Sequence, residues 1–299
     1  MFANFLPAEV ARLSEVTSIA LAQQMTRQAI ATPLSADPIS TAYIHQGSGG
    51  TPILLLHGFD SSVFEFRRLL PLLAVQQDTW AVDLLGFGFT DRPIGISFNP
   101  TSIKTHLHAF WKTLIDQPMI LVGASMGGAA AIDFTLTYPE AVAKLVLIDS
   151  AGFAAGPAMS RFLVPPLGYL ATEFLRQPKV RRQISLKAYA DASFVTADAQ
   201  LCAALHLQSS QWSQAMIAFT KSGGYNFLGD KISQINQPTL ILWGDSDQIL
   251  GTQDAERFRK AILTSRLVWV EHCGHVPHLE QPQITAACIL VRQAGVPTP

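Results

Sequence analysis

Ile120-Leu121-Val122-Gly123-Ala124-Ser125-Met126-Gly127-Gly128 reads as an apolar strand entering a Gly-x-Ser-x-Gly turn, with a small-residue helix from Gly128 to Tyr138 directly after it. Passing from strand to helix in so few residues forces the middle residue into a strained backbone conformation. Glycines two positions to either side remove the Cβ atoms that would collide there. The turn lifts the serine hydroxyl out of the sheet, in front of a helix N-terminus whose N–H groups can receive a developing oxyanion. A bare Gly-x-Ser-x-Gly arises often by chance. The strand before it and the helix after it make Ser125 a candidate nucleophile rather than a residue of an ordinary tight turn.

Outward from this turn, short apolar runs alternate with helical segments, the rhythm of a mostly parallel sheet covered by helices. The expected core strands are 52–57, 79–83, 119–123, 144–149, 239–244 and 266–271, with 43–46 pairing near one edge. Helices are expected over 63–74, 101–115, 126–138, 252–263 and 281–292. Between Asp149 and about Asn226 the rhythm breaks into a flexible Gly- and Pro-containing stretch followed by apolar helical runs.

Acyl-transfer chemistry needs a base for the serine, an acid to orient that base, and donors for the oxyanion. At this point the chain resembles the α/β-hydrolase superfamily, from about Ile39 onward. The resemblance implies an α/β-hydrolase fold: a mostly parallel central sheet flanked by helices, with a helical cap insertion. The implied organisation is an N-terminal helical extension over 1–38, a core over 39–150 and 227–299, and a cap over 151–226. The superfamily order is nucleophile, acid, histidine. Trp243-Gly244 followed by an acid three residues beyond the glycine places the acid at Asp247, and Gly274-His275 places the base at His275. The His57-Gly58-Phe59 element implies an oxyanion hole made by the N–H groups of Phe59 and Met126. Asp149 competes for the role of acid, because some members carry it after that strand, and Asp245 is a third choice; Asp247 is preferred.

The same resemblance makes the cap the seat of substrate choice, with Phe153, Phe162, Trp212 and Phe219 as candidate pocket residues. Relatives that cleave epoxides or carbon–halogen bonds place an aspartate at the elbow, where this chain has Ser125. The carbon–carbon bond hydrolases of aromatic degradation share a similar Ser-Met-Gly-Gly run, but typically have Asn before the serine and Trp after the histidine. This chain has Ala124 and Val276. The expected activity is therefore serine hydrolysis of a carboxylic ester with a sizeable apolar portion, without a cofactor. Carbon–carbon bond hydrolysis, cofactor-free perhydrolysis and a non-turnover ligand receptor are the alternatives.

Other features exclude partners. A net charge of −1 over 299 residues offers nothing to nucleic acid or to an anionic membrane, leaving a small molecule as the expected ligand. Three widely spaced cysteines fit a reducing interior rather than a disulfide framework. The first residues lack the basic region and cleavage site of a secretory signal, and no stretch is apolar for long enough to span a bilayer. The expectation is a soluble, cytoplasmic protein. Residues from about Ala8 to Ala31 read as an amphipathic helix packed onto the domain, against a second copy of the chain, or against a membrane surface. Gly86-Phe87-Gly88 after a strand imitates a dinucleotide fingerprint but lacks the third glycine and an opening helix. His272, Cys273, His275, His278 and Glu280 lack zinc-ligand spacing, and no metal is expected. His278 and Glu280 are expected to support the loop that carries His275, and His57 to be a structural hydrogen-bonding residue.

Overall fold

The computed structural model describes residues 1–153 and 167–291. Its centre is an eight-stranded sheet in the order β1-β2-β4-β3-β5-β6-β7-β8. These strands are β1 (Thr26–Ile30), β2 (Ile39–Gln46), β3 (Ile53–Leu56), β4 (Thr79–Val82), β5 (Met119–Ala124), β6 (Val142–Ile148), β7 (Thr239–Gly244) and β8 (Ser265–Val270). The pairs β1/β2 and β2/β4 are antiparallel; all pairs from β4 through β3 to β8 are parallel. β3, β4 and β7 are buried along their whole length, so they read as continuous apolar runs rather than as alternating patterns. Every core strand expected from the sequence is present, with ends shifted by a residue or two.

Helices cover both faces. They include α1 (Val16–Gln24), α2 (Leu70–Ala74), α3 (Pro100–Leu114), α4 (Met126–Thr137), α9 (Gln253–Ala261), α10 (Pro277–Glu280) and α11 (Pro282–Leu290). Two apolar clusters lie on opposite faces of the sheet, as adjacent residues of β3 illustrate: Leu54 and Leu56 belong to one, Ile53 and Leu55 to the other. Between β6 and β7 stand α5 (Leu167–Arg176), α6 (Pro178–Ala188), α7 (Ala197–Cys202) and α8 (Trp212–Lys221). They occupy the stretch where the strand rhythm breaks. Of the expected pocket residues, Phe162 lies outside the described residues.

Two expectations are corrected. The helix expected over 63–74 is a 3₁₀ turn (Val63–Phe66) and then the short α2. The single helix expected over 8–31 is a 3₁₀ turn (Ala8–Arg12), then α1, then the edge strand β1. Helical spacing of apolar residues ends near Met25, and the polar Thr26-Arg27-Gln28 carries little strand signal of its own. Pairing with β2 from Thr26↔Tyr43 to Ile30↔Ile39 makes it a strand. The start of α1 is fixed from the cap: Asp198 accepts hydrogen bonds from the Glu15 N–H at 2.9 Å and from the Ser18 hydroxyl. Glu15 in turn accepts two hydrogen bonds from Arg68, at 2.6 and 2.9 Å.

No helix among the described residues is long and apolar enough to cross a membrane.

Candidate active site

Ser125 sits between β5 and α4 with φ 52° and ψ −120°, a conformation that costs a non-glycine residue about 1–3 kcal/mol. Its surroundings impose this shape. The Ser125 N–H donates to the Ile148 carbonyl, and the Ser125 carbonyl accepts from Gly128 and Ala151. The flanking glycines serve close approach. A Cβ on Gly127 would lie 2.1 Å from the Leu56 carbonyl oxygen, and one on Gly123 would lie 2.2 Å from the Gly127 oxygen. Met126 opens α4, so its N–H has no acceptor within the helix.

Asp247 follows β7, and His275 follows β8 in a short connection to α10. The His275 Nδ1 lies 2.9 Å from Asp247 Oδ2. Asp247 Oδ1 accepts from the N–H groups of Ile249 (2.7 Å) and Leu250 (3.1 Å). Burial pushes the Asp247 carboxyl up, but His275 and these two N–H groups outweigh it and hold the pKa below the usual value. An ionised acid is thus aimed at one ring nitrogen of His275.

Asp149, the competing acid, is close by: it, Asp247 and His275 each bring a polar atom within a mutual 4.8 Å. Its environment is the opposite one. Asp149 Oδ1 accepts from the Gly244 N–H at 3.0 Å, while Oδ2 is buried with no partner among the described residues. Complete burial, and then the charge of Asp247, push its pKa well above the usual carboxylate range. Both effects favour the protonated, neutral form of Asp149. The same trio is spatially close enough to suggest metal ligands, yet the facing atoms of His275 and Asp247 are engaged with each other.

Glu280 holds the His275 loop, as expected, by accepting from the Gly274 N–H at 2.7 Å and from the Asp191 N–H at 2.7 Å. The His275 N–H donates to the Ala188 carbonyl at the end of α6.

The loop after β3 is fixed from two sides. His57 Nδ1 lies 2.8 Å from the Gly58 carbonyl, and the Leu84 N–H donates to Nε2 at 3.1 Å, so the proton resides on Nδ1. Burial lowers the His57 pKa to about 4, which keeps the ring neutral. Glu65 accepts from the Gly58 N–H at 2.9 Å, and His278 stands 3.0 Å from its other oxygen. Burial would raise the Glu65 carboxyl, but His278, His57 and that N–H bring it to about 2. Asp60 follows Phe59 with φ 50° and is the meeting point of three cap elements. Its carboxylate accepts from Arg181 of α6 at 2.5 Å, from Trp212 of α8 at 2.8 Å, and from His206 between α7 and α8 at 3.0 Å.

The sequence reading gave Glu65 and Asp60 no role, although both stand beside the His-Gly element. His206 carried no local signal. The Gly86–Gly88 turn wraps the Asp83 carboxylate, which accepts from Val63 and Phe89 at 2.7 Å each. A Cβ on Gly88 would strike that carboxylate, so the turn holds a side chain and not a phosphate.

Ser125, His275, Gly58 and Phe59 line one cavity of about 290 Å³. Its other walls include Ile184 and Tyr189 from the cap region and Leu279 from α10. Of the expected pocket residues, the described Phe153, Trp212 and Phe219 are not among those lining this cavity. Phe153 packs on Phe258 with ring centroids 4.7 Å apart, and Trp212 is buried in the cap's contact with Asp60. Phe219 packs against Phe87 and reaches Phe59, a wall residue, at 6.0 Å between centroids.

Comparison with known proteins matches residues 51–282 to the family described as alpha/beta hydrolase fold. The chain is 35% identical over 291 residues to the alpha/beta hydrolase domain-containing protein VTE7 of Arabidopsis thaliana, covering 94% of this chain and 87% of that protein. It is 29% identical over 259 residues to the 2-hydroxy-6-oxo-6-(2'-aminophenyl)hexa-2,4-dienoic acid hydrolase of Metapseudomonas resinovorans, covering 84% and 86%. It is also 26% identical over 249 residues to Lipase 1 of Psychrobacter immobilis, covering 82% and 77%.

Proposed function

The chain belongs to the alpha/beta hydrolase family, and from that premise we propose that it is a serine hydrolase of carboxylic esters with a sizeable apolar portion. The observation that carries the reading is the strained Ser125 sharing one cavity with His275, whose far nitrogen faces the ionised Asp247. Ser125 Oγ attacks the acyl carbonyl while His275 Nε2 takes its proton. The N–H groups of Phe59 and Met126 receive the oxyanion of the tetrahedral intermediate. His275 then protonates the leaving alcohol and afterwards draws a proton from water, which releases the acid from Ser125. The reaction needs no cofactor.

A carbon–carbon bond hydrolase is the second reading, and the Metapseudomonas resinovorans relative favours it. That reading gains if a cap arginine is free to take a carboxylate. Arg181 does line the cavity, but its charge is matched by Asp60 and its Nη2 is also given to the Ala203 carbonyl. This pairing supports the ester reading. The test is a fluorophosphonate label and a panel of chromogenic esters. A single adduct at Ser125, with labelling and hydrolysis both lost in Ser125→Ala, is the expected result. Hydrolysis surviving in Ser125→Ala would overturn it.

A further inference from the structure

Arg67 lines the same cavity as Ser125 and His275, yet the mechanism gives it no task. Its side chain is 3% exposed. Nη1 donates to the Phe64 carbonyl at 3.3 Å, whereas Nε and Nη2 complete no well-formed hydrogen bond among the described residues, the Tyr189 hydroxyl being the polar group beside the guanidinium. The nearest carboxylate oxygen, Glu15 Oε2, stands 3.8 Å from Nε, and both Glu15 oxygens already accept from Arg68. A buried cationic donor short of well-placed acceptors is costly, and inside a ligand cavity a substrate acceptor offsets that cost.

The surrounding charges select the kind of acceptor. Arg67 and Arg68 are matched by Glu15 and by Asp198, whose carboxyl feels Arg67 and is held below its usual pKa against burial. Tyr189 and Cys202 also face Arg67, and burial raises both, so they stay neutral. The group as a whole is balanced. A carboxylate brought to Arg67 would leave a net negative charge in a largely buried place, whereas a carbonyl would not.

We propose that Arg67 is a specificity-determining residue that donates Nε–H and Nη2–H to a neutral oxygen, a keto or ester carbonyl carried by the substrate away from the scissile bond. The proposal rests on the ester-hydrolase reading. It is tested with p-nitrophenyl octanoate, the same ester with a keto oxygen moved from carbon 4 to carbon 7, and the p-nitrophenyl monoester of octanedioic acid. In the wild type, one keto position should raise kcat/KM over octanoate by about 10- to 100-fold, the range of one or two hydrogen bonds to a charged donor. Arg67→Met should bring that ratio to about one, and Arg67→Lys should keep part of it, since lysine retains a charged donor.

The inference fails if no keto position exceeds octanoate in the wild type, if the ratio survives in Arg67→Met, or if the acid monoester is the best substrate. Should Arg67→Met not fold, the wild-type series and Arg67→Lys decide the matter. Absence of turnover on every ester, with Ser125 unlabelled, would remove the hydrolase reading instead.

Discussion

At the scale of single residues, Asp247 and Asp149 differ in what their oxygens meet, and this separates two carboxyls that share one neighbourhood. Asp247 receives two backbone N–H groups and faces His275; Asp149 receives one N–H and buries its other oxygen. Asp247→Asn should therefore cut kcat by on the order of 10³–10⁴ with the protein still folded, because the imidazole loses the acid that fixes its tautomer. Asp149→Asn should leave most activity, and reversal of that order in steady-state kinetics would exchange their roles. Stability should respond differently. An unfolded aspartate ionises near pH 3.9, whereas folded Asp149 keeps its proton to well above that. Across that window the unfolded state loses a proton that the native state keeps, so wild-type stability falls as pH rises. Asp149→Asn has no such proton. Its advantage in urea midpoint should be small near pH 3.5 and grow toward pH 7; an advantage independent of pH would contradict the neutral acid.

At the scale of elements, the cap is attached to the loop that carries a proposed oxyanion donor. Asp60 gathers α6, α8 and the His206 turn onto one carboxylate directly after Phe59. Asp60→Asn removes the negative partner from Arg181, whose side chain is 13% exposed. Breaking such a pair costs about 3–5 kcal/mol, and trypsin should cut within the cap many times faster in the variant. Burial raises the Asp60 carboxyl, but His206, Arg181 and Trp212 outweigh it and hold the pKa below the usual value. This anchoring is complete above about pH 3.9 and is lost as pH falls through the lower folded value. Wild-type cap cleavage by an acid protease should therefore rise on acidification, and Asp60→Asn should lack that rise. Equal cleavage of both proteins at neutral pH would mean that the latch contributes nothing.

At the scale of the whole molecule, residues before the family-matched segment belong to the sheet and its packing. β1 extends the sheet beyond β2, while Leu21, Ala22 and Met25 are buried in the cluster that includes Ala42, Ile44 and Phe66. We expect a chain beginning at Ile39 to unfold at lower temperature than the full chain and to aggregate, since β2 becomes an exposed edge and an apolar face is uncovered. Unchanged thermal melting would make 1–38 a dispensable extension. The cap is also expected to set acyl preference. Each methylene that the cavity buries should contribute about 0.8 kcal/mol to transition-state binding until the cavity is full. A kcat/KM profile flat from acetate to octanoate would deny the cap that role.

The residues 120–128, read alone, already contained the elbow, because strain at Ser125 and the glycines that permit it are neighbours in the chain. The apolar runs of β3, β4 and β7 were legible for the same reason: a strand buried on both faces shows its burial in its own composition. The local motifs around Asp247 and His275 likewise marked two residues that the fold brings to 2.9 Å. What the chain did not disclose locally depended on partners far away in sequence. Thr26–Ile30 is a strand because β2 supplies its hydrogen bonds, and α1 starts where Asp198 accepts from Glu15 and Ser18. Asp60 and Arg67 carried no local signal of burial; folding surrounded them. Their burial, and the pairing of one beside the non-pairing of the other, arise from contacts across more than fifty residues, and only the tertiary structure brings those groups together.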